Sequence, residues 1–308
     1  MRPVSGLLGA VGAPLVLASC ALVGCTKAPP AGPRIDPAIS TFIPADTTVL
    51  LGVRLEKIEK TPVYQKYLAH QAVPLVDPFR ARTGIKPGDL WEILYVSNGS
   101  RGAVIGHGLF SDEAEPDLER AGASRFKYKR FNLVGDSLQA ILLVDQTVFA
   151  AGDTEQLKAM VDAQEKSAGP PASMKPLLAR MPSTALIWGA YGGGALKLPF
   201  ADSSNLSNIK KIVSMIQTGT LYLNLDTGVN GLAEGTSAND QNAEQLESGL
   251  RALIGLGRLA VPANQPDLQR VWDGLRPTRE DREVKLHIDE PADLIEQISK
   301  MIGGRGGS

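Results

Sequence analysis

The chain has 308 residues, 43% of them hydrophobic and 21% charged, with 32 Lys plus Arg against 33 Asp plus Glu. That apolar share excludes an intrinsically disordered chain, and the balanced charge excludes binding to nucleic acid or an anionic surface through a bulk field. Two folded units are expected at this length, because single cores stop growing at about 250–300 residues.

Met1 and Arg2 give a short positive start, and a charge-free run through residue 24, rich in Leu, Val, Ala and Gly, reads as a secretory signal peptide over 1–24. A retained spanning helix is the weaker alternative. It needs about 20 apolar residues, whereas Pro14 and several glycines interrupt this run and no basic cluster follows it. Both cysteines of the chain, Cys20 and Cys25, lie here. A disulfide inside a removed signal would do nothing for the mature protein, and a zinc site needs about four ligands, so neither reading holds. Residues 25–45 carry prolines at 29, 30, 33, 37 and 44, which blocks a helix and favours an extended spacer.

From Asp46 the pattern changes. Residues 47–55 alternate Thr47, Val49, Leu51, Val53 and Leu55 on one face, as in a half-buried strand, and a helix is expected over 56–70. Residues 90–110 form two apolar runs around Asn98-Gly99-Ser100-Arg101-Gly102, a hairpin signal. An acidic helix is expected at 112–123, followed by antiparallel strands in FKYKRFNL, SLQAILLVD and TVFAAGD. Asp153 then caps a helix with Leu157, Met160 and Val161 on its buried stripe. After the Gly/Pro break in SAGPPASMKP, residues 183–191 repeat the first strand, and 205–217 read as a helix with Ile209, Ile212, Val213 and Ile216 inward. A hairpin turns at Asp226-Thr227-Gly228. A helix begins near Asn239 with Ala243, Leu246, Leu250 and Leu253 on one stripe, EVKLHID is a strand, and Pro291 opens a last helix. The order strand, helix, hairpin, helix, strands, helix occurs twice. The expected fold class is therefore α+β: two pseudo-repeated lobes, 46–170 and 171–302, each a mainly antiparallel sheet with helices packed on one face, and a Gly-rich tail at 303–308.

Leu22-Val23-Gly24-Cys25 resembles the lipobox of bacterial lipoproteins, and Leu17-Ala18-Ser19-Cys20 fits the same pattern. The resemblance implies that the cysteine thiol receives diacylglycerol, that a dedicated signal peptidase cuts before it, and that the new amine is acylated. The membrane is then reached through N-terminal acyl chains. Cutting at Cys25 discards Cys20, whereas cutting at Cys20 leaves Cys25 as an unpaired thiol in an oxidising compartment, so Cys25 is preferred with Cys20 as the alternative. Thr26 at the next position resembles lipoproteins forwarded to the outer membrane, which implies a cell-envelope location facing the periplasm, with the extracellular face as the other option. The body, entered through Pro44-Ala45-Asp46-Thr47, is similar to uncharacterised secreted two-lobed α+β lipoproteins, a resemblance that carries no activity.

Local catalytic motifs are absent from the sequence. The three histidines, His70, His107 and His287, form no metal-binding spacing, so no metal and no cofactor are expected. No G-x-S-x-G elbow occurs. The glycine-rich stretch at 189–199 lacks the Gly-Lys-Ser/Thr of a phosphate loop, and the acids at 112–119 lack calcium-loop spacing. The basic and aromatic residues at 125–130 read as a solvated strand face rather than a nucleic-acid site. His107, in Gly-His-Gly, and Glu234, in Ala-Glu-Gly, occupy corresponding hairpin strands in a rough alignment of the halves and are the candidate lining of an interlobe cleft, beside the plainer reading of two solvated strand faces. Two functions stay open: non-enzymatic binding or scaffolding of an envelope partner, or a periplasmic hydrolase or small-ligand-capturing protein using that cleft.

Overall fold

The structure, a computed structural model, describes residues 32–69, 87–110, 123–195, 214–262 and 267–295. The signal region, both cysteines, His70, the acidic segment at 112–122, most of the expected helix at 205–217 and the tail lie outside the described residues.

The chain forms α+β architecture around one twelve-stranded antiparallel sheet. The strands are β1 (Val49–Val53), β2 (Leu90–Ser97), β3 (Gly102–Gly108), β4 (Ser124–Tyr128), β5 (Phe131–Gly135), β6 (Gln139–Leu143), β7 (Val148–Asp153), β8 (Ile187–Tyr191), β9 (Ile216–Asn224), β10 (Gly228–Ser237), β11 (Leu275–Glu280) and β12 (Glu283–Pro291). Their order across the sheet is β11-β12-β10-β9-β8-β1-β2-β3-β7-β6-β5-β4. Strands from before residue 170 occupy one side and those after it the other, and β1 joins them by pairing with β8 from Val49–Tyr191 to Val53–Ile187. The expectation of two separate sheets is thus corrected to one continuous sheet. No local signal in either segment announces that nonlocal ladder.

Among the described residues six α-helices flank the sheet: α1 (Pro37–Ser40), α2 (Leu55–Glu59), α3 (Thr154–Glu165), α4 (Lys175–Ala179), α5 (Asp240–Leu259) and α6 (Asp267–Asp273). They cover both faces, another departure from the expected single helical layer. On the first face, Leu50, Leu94, Ile105, Leu142 and Trp188 pack with Ile39 of α1, Leu157 and Met160 of α3, and Leu177 and Leu178 of α4. On the second face, Leu55 and Ile58 of α2 pack near Ile93 and Val53 respectively, while Ala243 and Leu246 of α5 pack on Val284. Being central and covered twice, β1 buries Leu50 and Gly52 as well as Val49, so its alternation marks two layers of cover rather than one wet face.

The hairpin β2–β3 forms where expected. The Asn98 Oδ1 accepts the Ser100 and Arg101 N–H groups at 3.1 and 3.0 Å, and Gly99 takes φ 90°. FKYKRFNL splits into β4 and β5 around Lys129, whose φ of 53° is the left-handed turn conformation. Asp153 precedes α3 but does not cap it; its carboxylate accepts the Gly102 N–H at 2.7 Å. Asn239 does cap α5, accepting the Asn242 N–H at 2.8 Å. Ile216 opens β9 rather than closing a helix, and the polar β11, with Pro277 inside it, takes the sheet edge where a missing N–H is tolerated.

Trp188 lies opposite Gly52 in the central ladder, and a Cβ at Gly52 would come within 2.1 Å of the indole. Gly52→Ala therefore destabilises the fold by about 1–3 kcal/mol through overpacking. In contrast, Gly249→Ala within α5, where a Cβ meets nothing within 4 Å, stabilises by up to about 1 kcal/mol through helix propensity. Urea denaturation of the two variants checks the opposite signs.

Candidate functional site

Across the second face, where β1 meets β8, an apolar cavity of about 270 Å³ lies between the sheet and α5. Its floor includes Val49 and Leu51 from β1, Leu221 from β9 and Ala233 from β10; Leu246 and Leu250 of α5 contribute from the helix side. Neighbouring side chains lie close over the glycines of this floor: a Cβ at Gly189 would come within 2.7 Å of the Leu51 Cδ2, and one at Gly235 within 3.1 Å of Ile216. Gly189 pairs with Leu51 and Leu221, Gly219 pairs with Gly235, and all three glycines stand on the second face. Glycine inside a strand weakens it unless something approaches closely there. Thr220 and Glu234 also border the cavity, but their side chains bond each other at 3.3 Å, on the opposite face by register. Tyr191 ends β8 at the cavity and is, among the described residues, its one polar side chain on this face, donating its hydroxyl proton to the Gly194 carbonyl at 2.6 Å. Burial pushes the Tyr191 phenol above its ordinary value, so it stays protonated.

His107 and Glu234 are not brought together. Both lie on the first face, but β3 and β10 are five strand steps apart, roughly 24 Å at about 4.8 Å each. Taking the seam pair Leu51–Gly189 as pivot, the ladders carry Val104 onto Ala233, so the counterpart of Glu234 is Ile105 and that of His107 is Thr236. The expected cleft between the two residues is therefore corrected: each is closed in its own polar network. Glu234 forms an ion pair with Arg180, which follows α4, at 3.1 Å, and Arg180 also meets Glu283. Lys285 reaches Glu283 at 3.2 Å and Glu234 at 3.9 Å. This network ties α4 to β10 and β12.

The His107 Nδ1 lies 2.8 Å from an Asp36 carboxylate oxygen, and Trp91 meets the ring edge-on at 4.7 Å. Beside them Glu92 is buried, with Oε1 unpartnered among the described residues. Burial pushes its carboxyl up to about 7, against a smaller opposing pull from Arg54, and Asp36 adds to the rise. The buried Arg54 donates to the Ser183 carbonyl at 2.7 Å and the Arg34 carbonyl at 2.9 Å. The cluster thus fastens the segment arriving from the Pro-rich stretch to both halves of the sheet. A second buried carboxyl, Glu290, has neither oxygen partnered among the described residues and is also pushed up to about 7, by burial first and then by Asp289 and Asp273. Among the described residues no group of His, Cys, Asp or Glu could hold a metal ion, and no helix is long and apolar enough to cross a membrane.

These two carboxyls set a direction for stability against pH. A folded-state value raised from 4.5 to about 7 means that the folded protein holds the proton more tightly than the unfolded chain. The resulting stabilisation is complete below the unfolded value and is lost as pH rises through about 7. At the acid end, Asp136, held low by the backbone N–H groups of Gln139 and Leu138, works the other way. The melting temperature is expected to fall between pH 5.5 and pH 8.5. Glu92→Gln and Glu290→Gln each flatten that fall and raise stability at pH 8.5, measured by differential scanning calorimetry. An unchanged slope in both variants would assign the loss elsewhere.

No family model and no curated protein matches the chain. Solved structures of similar fold are crystal forms of TP0453. Form III aligns with a TM-score of 0.51 and 8% identity, covering 88% of this chain and 99% of that one. Form I aligns at 0.45 with 9% identity, covering 87% and 98%. At these identities the likeness is one of fold, and the form III alignment places this chain in the same general architecture as TP0453.

Proposed function

We propose that this chain is a lipid-anchored cell-envelope protein that captures an apolar small molecule in the cavity between α5 and the seam of the sheet, without catalysis. The observation that carries the reading is the wall itself: its described side chains on the second face are aliphatic except Tyr191. Ligand sites are concave, mostly apolar and supplied with few polar groups. The volume of about 270 Å³ sits at the small end of the usual range of about 300–1,000 Å³, which suits one short apolar chain better than a bulky multi-chain lipid.

The anchor belongs to the same reading. Cys25, or alternatively Cys20, carries the acyl chains; the prolines after it keep the body off the bilayer, and the location is the outer membrane facing the periplasm. The halves are read as a duplication whose strand orders outward from the seam, β1-β2-β3-β7-β6 and β8-β9-β10-β12-β11, correspond. A ligand site astride the seam then uses a floor contributed by both copies. An envelope protein that delivers or receives the ligand is the partner this role calls for.

Mass spectrometry of the mature amino terminus from the native host is expected to find diacylglycerol on Cys25. An unmodified Cys25 with an intact signal would overturn the anchor. For the cavity, full-length protein in nanodiscs is titrated with the neutral fluorophore N-phenyl-1-naphthylamine. Ala233→Phe, which fills the floor, is expected to abolish saturable binding while keeping or raising the melting temperature, and Ala233→Leu to weaken it. Equal binding by wild type and both folded variants would place the probe elsewhere and remove the reading.

A further inference from the structure

Granting that the cavity takes an apolar ligand, its wall also selects the head group. The described side chains on the second face offer no cation: among the described residues the lining contains no Lys, Arg or His. An ionised carboxylate or phosphate drawn to this mouth would lose water without gaining a counter-charge, which is strongly unfavourable. The backbone groups of β8, β9 and β10 are engaged in their ladders, so the floor has few free donors. What remains is Tyr191. Its proton is committed to the Gly194 carbonyl at 2.6 Å, in a turn where Gly193 and Gly194 adopt φ of 97° and 92°. Those left-handed conformations, natural to glycine, fold the carbonyl back toward the ring. A phenol oxygen whose hydrogen is spent presents lone pairs alone, and it accepts.

We propose that the ligand is a single-chain amphiphile with an uncharged head bearing a hydroxyl, which donates its hydrogen bond to the Tyr191 oxygen while the chain lies over Leu51, Leu221 and Ala233. The Gly194 carbonyl acts as the positioning group that keeps Tyr191 an acceptor. Ammonium heads could also donate, but they would bring a charge to a site with no facing carboxylate, since Glu234 points to the other face. An ester head offers acceptors only and meets an acceptor. The phenol is neutral at physiological pH already at its ordinary value, and burial raises that value further, so the same chemistry operates throughout that range.

The test displaces N-phenyl-1-naphthylamine from full-length protein in nanodiscs at pH 7.5 with decan-1-ol, decanoate, decylamine and methyl decanoate, corrected with Ala233→Phe protein as blank. Decan-1-ol is expected to bind about tenfold more tightly than decanoate, with decylamine and methyl decanoate also weaker. Tyr191→Phe, which removes the acceptor and keeps the ring, is expected to weaken decan-1-ol about fivefold and leave methyl decanoate unchanged. Decanoate binding as tightly as the alcohol, or Tyr191→Phe weakening both uncharged probes equally, overturns the head-group assignment while leaving an apolar site in place. Failure of all four to displace the fluorophore overturns the apolar-ligand reading itself.

Discussion

The ladder between β1 and β8 is the constraint on which the rest of the molecule depends. Five residues on each side pair from Val49–Tyr191 to Val53–Ile187, and this short run turns two groups of strands into one sheet. Trp188 makes it secure on the first face: at 1% exposure it lies opposite Gly52, which has no side chain to hold it off. Trp188 shares a core with α1, α3 and α4, so the same side chain couples the seam to the helical cover of both halves. Its indole N–H finds no acceptor among the described residues, a cost of about 1–3 kcal/mol for an unmade bond that the burial of a large aromatic surface offsets.

The seam is closed a second time by charge. Arg54 leaves the end of β1 and bridges carbonyls of Arg34 and Ser183, which lie at the entry to each half. A buried guanidinium requires acceptors and a compensating charge, and here Glu92 and Asp36 stand near it. Glu92 is nevertheless driven toward its neutral form, because burial outweighs the pull of Arg54. The network therefore trades one charge with pH without any catalytic step being needed. It also explains why a histidine in a Gly-His-Gly strand need not be a ligand: His107 answers Asp36, the residue that caps α1 by accepting the Ala38 N–H at 2.8 Å.

What sequence reasoning recovered was what short-range chemistry specifies. The Asn98–Gly102 turn, the start of α5 near Asn239 and the Leu157, Met160 and Val161 stripe of α3 each follow from residues within a few positions of one another. The misses share the opposite property. The joining of β1 to β8 spans about 138 positions, and β1 hid its double burial because Val49, Leu51 and Val53 alternate regularly whichever face is covered. β11, with Arg276 and Thr278 in it, drew no assignment from the sequence, since an edge strand shows little apolar pattern. His107 and Glu234 drew attention as polar residues in apolar strands, while the cavity was marked by residues with no functional group. Val49, Leu51, Leu221 and Ala233 read as ordinary strand positions, and only register gathers them on one face.

The cavity is a partly open apolar surface rather than a sealed void: Leu51, Leu221, Ala233 and Leu250 on its wall are only half-buried. Apolar surface left in water forgoes about 25 cal/mol per Å² of burial stabilisation. A larger residue at Ala233 would recover part of it, because the volume beside that position is open rather than filled by neighbours. A ligand that covered this surface in the folded state alone would stabilise the fold by mass action. The first face, with its Trp188 core and Arg54 network, holds the two halves of the sheet together while the second face stays partly uncovered.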